Sequence, residues 1–152
     1  MIKILFLDFD GVLTDNSVYV SSDGTEIVRC YRGDGIGLRQ IQDAGISVCI
    51  ISAEVNDVVK VRAAKLDIKH VHTSVANKLS VVRRVLTEFS IKPSQACFIG
   101  NDLPDIPSMS YVGLSACPID AEREVLRVAK LVLPRKGGRG CVRDLCNHLL
   151  EL

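Results

Sequence analysis

Apolar residues in this chain keep two rhythms. Short runs rich in β-branched residues, at 2–7, 45–51 and 96–99, alternate with longer stretches whose apolar residues recur every three or four positions. The short runs are continuously apolar, as expected of strands buried on both faces. Weaker strands are predicted at 70–72, 111–114 and 130–133. Between them, Ile36, Leu38, Ile41 and Ala44 fall on one helix face, closed by Gly45. Val55, Val58, Val59, Arg62, Ala63 and Leu66 form a second face, opened by Glu54. A third helix is predicted over 77–89, with Leu79, Val82, Val85, Leu86 and Phe89 inward, stopping before Pro93. Alternating strands and helices predict a three-layer α/β domain, with a mostly parallel sheet and right-handed crossovers. One segment departs from this: 17–20 and 26–31 flank Ser21-Ser22-Asp23-Gly24-Thr25 and read as a protruding β-hairpin. The basic, glycine-rich stretch 134–140 reads as a mobile loop before a last helix.

The 152 residues, 47% of them hydrophobic, make one domain spanning 1–152 with a core that needs no disulfide or metal staple. A net charge of +1, from 19 basic and 18 acidic residues, lacks the excess of a nucleic-acid binder. No apolar run approaches a membrane span, and Asp8 cuts off the N-terminal run before a signal-peptide core forms. The cysteines at 30, 49, 97, 117, 141 and 146 contain no Cys-x-x-Cys pair and match no zinc spacing. They read as reduced core thiols of a cytoplasmic protein.

The first strand runs into Asp8-Phe9-Asp10-Gly11-Val12-Leu13-Thr14. Ligands in open α/β sheets bind at the carboxyl ends of strands, so both carboxylates belong beside that crevice. Two close carboxylates repel unless a cation or shared proton neutralises them, and Mg²⁺ is a hard ion suited to oxygen ligands. One carboxylate can then attack phosphorus while the other moves protons. The alternative is a solvated acidic turn. Ser52 ends the second strand, at an expected helix N-terminus where a phosphate oxygen can be held, or where Ser52 is an ordinary cap. Lys78 opens the third helix, a place the helix dipole disfavours for a cation, and solvated lysine is its alternative. Gly100-Asn101-Asp102-Leu103-Pro104-Asp105 ends another strand in an acidic turn.

In order, these four segments resemble the motifs of the haloacid dehalogenase superfamily of phosphotransferases. The resemblance implies a Rossmann-like fold with Asp8 as the nucleophile that forms an aspartyl-phosphate and Asp10 as general acid/base. It further implies Ser52 and Lys78 as phosphoryl holders. Mg²⁺ would lie on Asp8, the Asp10 backbone carbonyl and Asn101, with Asp105 behind. Too few residues separate the motifs to hold a cap domain. The chain is similar to the capless phosphatases of octulosonate 8-phosphate and nonulosonate 9-phosphate, which implies a phosphorylated sugar-acid substrate and a homotetramer. A neighbouring subunit would then cover the site, with Arg139 near it. Ser52-Ala53-Glu54 resembles the nonulosonate enzymes at Glu54, and Arg62 and Lys65 match positions that meet the substrate carboxylate; solvated helix positions are the alternative. Asn101 stands where active members usually have Asp, and Ala53 where they have Gly. Both departures also resemble the C-terminal domain of vertebrate CMP-sialic acid synthetases, so an assembly module is the rival reading. Retention of Asp8 favours chemistry.

Overall fold

The computed structural model describes residues 1–152. Strand β1 (Ile4–Leu7) leads into a hairpin of β2 (Thr14–Val20) and β3 (Glu26–Cys30). There follow α1 (Arg32–Asp43), β4 (Ser47–Ile51), α2 (Val58–Lys65), β5 (His70–His72), α3 (Lys78–Glu88) and β6 (Ala96–Ile99). The chain continues through α4 (Ile106–Tyr111), β7 (Leu114–Pro118), α5 (Arg123–Val128), β8 (Leu131–Leu133) and α6 (Cys141–Glu151). Six strands form one wholly parallel sheet in the order β5-β4-β1-β6-β7-β8, and the hairpin stands apart from it.

The continuous apolar runs arise because each strand feeds two cores. Leu5 and Leu7 of β1 pack with Leu38 and Ile41 of α1, Val59 of α2 and Leu145 of α6. Ile4 and Phe6 face the other way, onto Val82, Val85 and Leu86 of α3 and Val125 of α5. Three expectations are corrected here. The strand expected at 111–114 begins only at Leu114 and runs to Pro118; Tyr111 ends α4, and in the turn between them Gly113 lies against the backbone of Ser94, where a Cβ would be 2.4 Å from the Ser94 carbonyl oxygen. Ile36 is 58% exposed, since α1 buries Asp34, Gly37, Leu38 and Ile41, which turns position 36 outward. Val55 is 73% exposed, because 53–57 is loop and α2 begins only at Val58. All six cysteines are free, and burial pushes the Cys49 thiol up to about 12. No helix is long and apolar enough to cross a membrane.

Two contacts brace the layer behind the strand ends. Gly37 lets α1 approach α6 closely: a Cβ there would be 2.9 Å from Arg143 Cδ. Beside it, the fully buried Asp34 accepts the Arg143 N–H at 2.9 Å, satisfying one of the free donors in the first turn of α6. The other oxygen of Asp34 has no partner. Burial therefore pushes this carboxyl up to about 6, against the pull of the Arg143 N–H and the Arg135 guanidinium.

The second contact corrects the expectation of a mobile glycine-rich loop. Gly137, Gly138 and Gly140 are buried. The Gly138 N–H donates to the Val12 carbonyl at 2.9 Å, and the Gly137 N–H donates to Asp120 at 2.9 Å. A Cβ on Gly137 would lie 1.9 Å from the Gly11 carbonyl oxygen, so only glycine fits. Arg135 closes the loop by gripping Asp144 with two guanidinium nitrogens, one at 2.9 Å. Pro134, Lys136 and Arg139 are exposed.

Two outcomes follow. Asp34 binds its proton more tightly folded than unfolded, so its contribution is present below the unfolded value and is lost as pH rises through about 6. Asp34→Asn removes that loss. Its stability relative to wild type should rise across this window, by at most about 3 kcal/mol in chemical denaturation. Gly137→Ala should cost about 1–3 kcal/mol by forcing the loop off the Gly11 backbone, whereas Arg139→Ala should stay within about 0.5 kcal/mol, both by thermal melting.

Candidate active site

Strand β1 lies at the centre of the sheet, and its two neighbours bring the other motifs beside it. Leu7 pairs with Ile50 on one side and with Ile99 on the other. Continuing both strands places Ser52 and Asn101 flanking the turn after Asp8. The connections run from β1 outward to β4 and β5, then return to β6 on the far side, which opens a crevice at the reversal.

The turn is built by its own backbone. Phe9 is buried and its carbonyl accepts the N–H groups of Leu13 (2.9 Å) and Thr14 (3.1 Å). Gly11 takes φ +84°, and the Asn101 carboxamide occupies the space a Cβ would need. The Thr14 hydroxyl donates to Asp10 Oδ1 at 3.1 Å while accepting the Gly11 N–H at 3.2 Å. This holds the Asp10 side chain, a role that the motif's spacing alone did not reveal. Burial raises the Asp10 carboxyl above the ordinary value, with Thr14 pulling the other way.

Lys78 is the hub. Its ammonium lies 2.8 Å from Asp8 Oδ1 and 2.7 Å from Asp105 Oδ1, and it is almost wholly buried. Burial disfavours its charge, but Asp8 and Asp105 together outweigh that and hold its pKa above the ordinary value. Asn77 caps α3 by accepting the Ser80 N–H, which leaves Lys78 at the first helical position aimed into the crevice. Asp8 Oδ1 also accepts the Phe9 N–H at 2.7 Å. Burial and the Asp105 charge push the Asp8 carboxyl up to about 7, with Lys78 opposing them.

Asp105 was expected behind the metal. One oxygen is taken by Lys78, and the other accepts the N–H groups of Asn101 (2.9 Å) and Asp102 (3.2 Å). With both oxygens engaged, Asp105 positions Lys78 and the 101–102 turn and is not itself placed as a ligand. No group of three carboxylate, imidazole or thiol side chains is placed to hold a metal. The oxygens that converge are Asp8 Oδ2, the Asp10 carbonyl and the Asn101 carboxamide, the last 2.9–3.1 Å from the other two. One carboxylate, one carbonyl and one amide oxygen are hard donors and fit a partly hydrated Mg²⁺.

Ser52 is buried and its Oγ accepts the Glu54 N–H at 3.1 Å. Because α2 starts six residues later, the expected helix terminus is absent here, and any phosphate oxygen would meet a hydroxyl and loop N–H groups. Glu54 bears on Asp10, whose carboxyl its charge helps raise. Asp8, Asp10, Ala53, Lys78 and Asn101 line a crevice of about 170 Å³. Arg62 and Lys65 do not line it. They line a separate basic pocket of about 550 Å³ with Arg32 and Arg39. The largest cavity, about 680 Å³, lies at the opposite end of the strands; Ile2, Ile46, Phe89, Ile91 and Leu149 make it apolar, with no converging carboxylates.

Comparisons with known proteins bear on the family of the chain. Residues 51–143 match the family of haloacid dehalogenase-like hydrolases. Over 149 residues the chain is 37% identical to the 3-deoxy-D-manno-octulosonate 8-phosphate phosphatase of Escherichia coli, covering 98% of this chain and 79% of that protein. The crystal structure of the phosphatase of that name from Yersinia pestis superposes with a TM-score of 0.96 at 35% identity, covering 99% of this chain and 81% of the other. That from Moraxella catarrhalis, in complex with magnesium ion, phosphate ion and KDO, superposes with a TM-score of 0.96 at 30% identity, covering 99% and 86%. An ion-paired aspartate at the end of the central strand, an acid beside it and a matching relative over nearly the whole length lead to one conclusion: this chain belongs to the haloacid dehalogenase-like hydrolase family.

Proposed function

We propose that the protein is a Mg²⁺-dependent phosphomonoesterase of phosphorylated 2-keto-3-deoxy sugar acids, working through an aspartyl-phosphate. The observation that carries this reading is the buried Lys78 ammonium held between Asp8 and Asp105 in the wall of the crevice. A scaffold has no use for three buried charges in that arrangement.

In the first step the Asp8 carboxylate attacks phosphorus, and the sugar oxygen leaves with the bonding electron pair. Asp10, raised by burial, gives that oxygen its proton. In the second, Asp10 takes a proton from water as that water attacks the aspartyl-phosphate, which frees phosphate and restores Asp8. Lys78 and the Ser52 hydroxyl hold the equatorial phosphoryl oxygens. Asp8, the Asp10 carbonyl and Asn101 would hold Mg²⁺, which offsets charge between carboxylate and phosphate.

The names of the relatives support an eight-carbon substrate, octulosonate 8-phosphate. Glu54, whose charge bears on Asp10 and which resembles the nonulosonate enzymes at that position, supports a nine-carbon nonulosonate 9-phosphate. Arg62 and Lys65, in their separate pocket, are suited to a substrate carboxylate offered from a neighbouring copy's crevice. Tyr19, Val20 and Ile27 leave the hairpin's apolar side chains more than 60% exposed, which supports hairpin-to-hairpin association in a homotetramer. Arg139 would then reach a neighbour's site.

Phosphate release from both sugar acids at saturating Mg²⁺ tests the reading, with Asp8→Asn as blank. Release should fall by several orders of magnitude in the variant. Undiminished release from Asp8→Asn, or none from folded wild type, would sink it. Glu54→Arg should move the kcat/KM ratio toward the eight-carbon substrate. The acid limb of kcat/KM should lie between the ordinary carboxylate value and about 7, and shift lower as Mg²⁺ is raised, because a cation favours ionised Asp8.

A further inference from the structure

The outer end of the Asn101 carboxamide lies 3.1 Å from Asp8 Oδ2 and 2.9 Å from the Asp10 carbonyl oxygen. Both neighbours only accept hydrogen bonds. An amide oxygen at that point faces two other oxygens and is tolerable only with a cation among them. An amide nitrogen there donates to both.

Everything about Asn101 except this last choice is fixed. Its N–H donates to Asp105 at 2.9 Å, its carbonyl accepts the Glu122 N–H at 2.9 Å, and the residue is buried. The inner end of the carboxamide rests against Gly11, where a side chain would collide at 2.0 Å. Half a turn about the final side-chain bond exchanges oxygen for nitrogen with no change in volume and no change in backbone. A carboxylate could not make this exchange, since both its ends are oxygen.

We infer that Asn101 is a two-position ligand. Without metal, its NH₂ group caps Asp8 and the Asp10 carbonyl; when Mg²⁺ arrives, the amide turns and presents its oxygen. This rests on the reading of Asp8, Asp10 and Asn101 as the metal's ligands and adds what that reading lacks, a competitor inside the site. Mg²⁺ has to displace two internal hydrogen bonds, so it binds more weakly than to a carboxylate at the same position. In return, the metal-free site is not left with oxygens facing one another.

The test uses the full chain, stripped with chelator, as wild type and Asn101→Asp. By calorimetric titration, Asn101→Asp should bind Mg²⁺ at least about tenfold more tightly. In chelator it should melt below wild type, and Mg²⁺ should raise its melting temperature by more than it raises that of wild type. In ¹⁵N-labelled wild type, the Asn101 side-chain amide protons should be protected from exchange without metal and lose that protection on adding Mg²⁺. Equal Mg²⁺ affinities with equal melting in chelator, or an amide signal that Mg²⁺ leaves unchanged, would overturn the inference. If Asn101→Asp does not fold, the amide signal of wild type decides. If Mg²⁺ binds neither protein, the metal assignment itself falls, and the two-position ligand with it.

Discussion

One ammonium group organises the catalytic end of this molecule. Lys78 is buried, and a buried cation is costly unless it is matched by charge and hydrogen bonds. Asp8 and Asp105 provide that match from two different strand ends, so the ion pair can form only when β1, β6 and the start of α3 are all in place. The dependence runs both ways. Asp105 fixes the turn bearing Asn101, and Asn101 packs over Gly11, which sets the direction of Asp10. Lys78 at the first position of α3 opposes the helix dipole, and Asn77 beside it takes over the capping that a better first-turn residue would have aided.

Much of this was legible in the sequence because burial on both faces leaves a plain mark. The runs containing Ile4–Leu7 and Ala96–Ile99 are apolar throughout because each alternate residue enters a different core. Asp8, Asp10 and the turn after Ile99 were legible for a different reason: charged residues at the ends of such runs have few structural uses, and Lys78 stood out as a cation opening a helix. What stayed hidden depended on partners far along the chain. Nothing local distinguishes a glycine-rich segment that waves in solvent from one pressed against a backbone over a hundred residues earlier. Ile36 and Val55 are apolar residues that face outward, so periodicity credited them to the core. Asp34 sat among glycines with no visible partner, because its partner is an amide of α6. The work of Asp105 behind the expected metal was hidden for a similar reason, since its partners are the ammonium of Lys78 and the backbone N–H groups of Asn101 and Asp102.

The division of charge across the surface bears on recognition. The small crevice is acidic, and its only cation is already tied to two carboxylates. Mg²⁺ on Asp8, the Asp10 carbonyl and Asn101 would offset that charge for a phosphate. The basic pocket of Arg32, Arg39, Arg62 and Lys65 has the opposite character, and the Nε of Arg62 is buried with no partner. A doubly anionic sugar acid needs both characters. In a single copy the two are lined by different residues, whereas an assembly can set one against the other.

The brace under the catalytic turn has a consequence for how the molecule comes into being. The carbonyl of Val12 is met by the N–H of Gly138 and the thiol of Cys141, and the backbone of Gly11 by Gly137. In a chain made from its N-terminus, Asp8 and Asp10 emerge well over a hundred residues before Gly137, Gly138 and Cys141. All six strands of the sheet, ending with β8, precede that brace, so the sheet can assemble while the turn bearing Asp8 and Asp10 has nothing beneath it. The turn bearing Asp8 and Asp10 therefore gains its support only once residues 137–141 are available, and a nascent fragment that already carries Asp8, Asp10, Lys78 and Asp105 still lacks the surface beneath that turn.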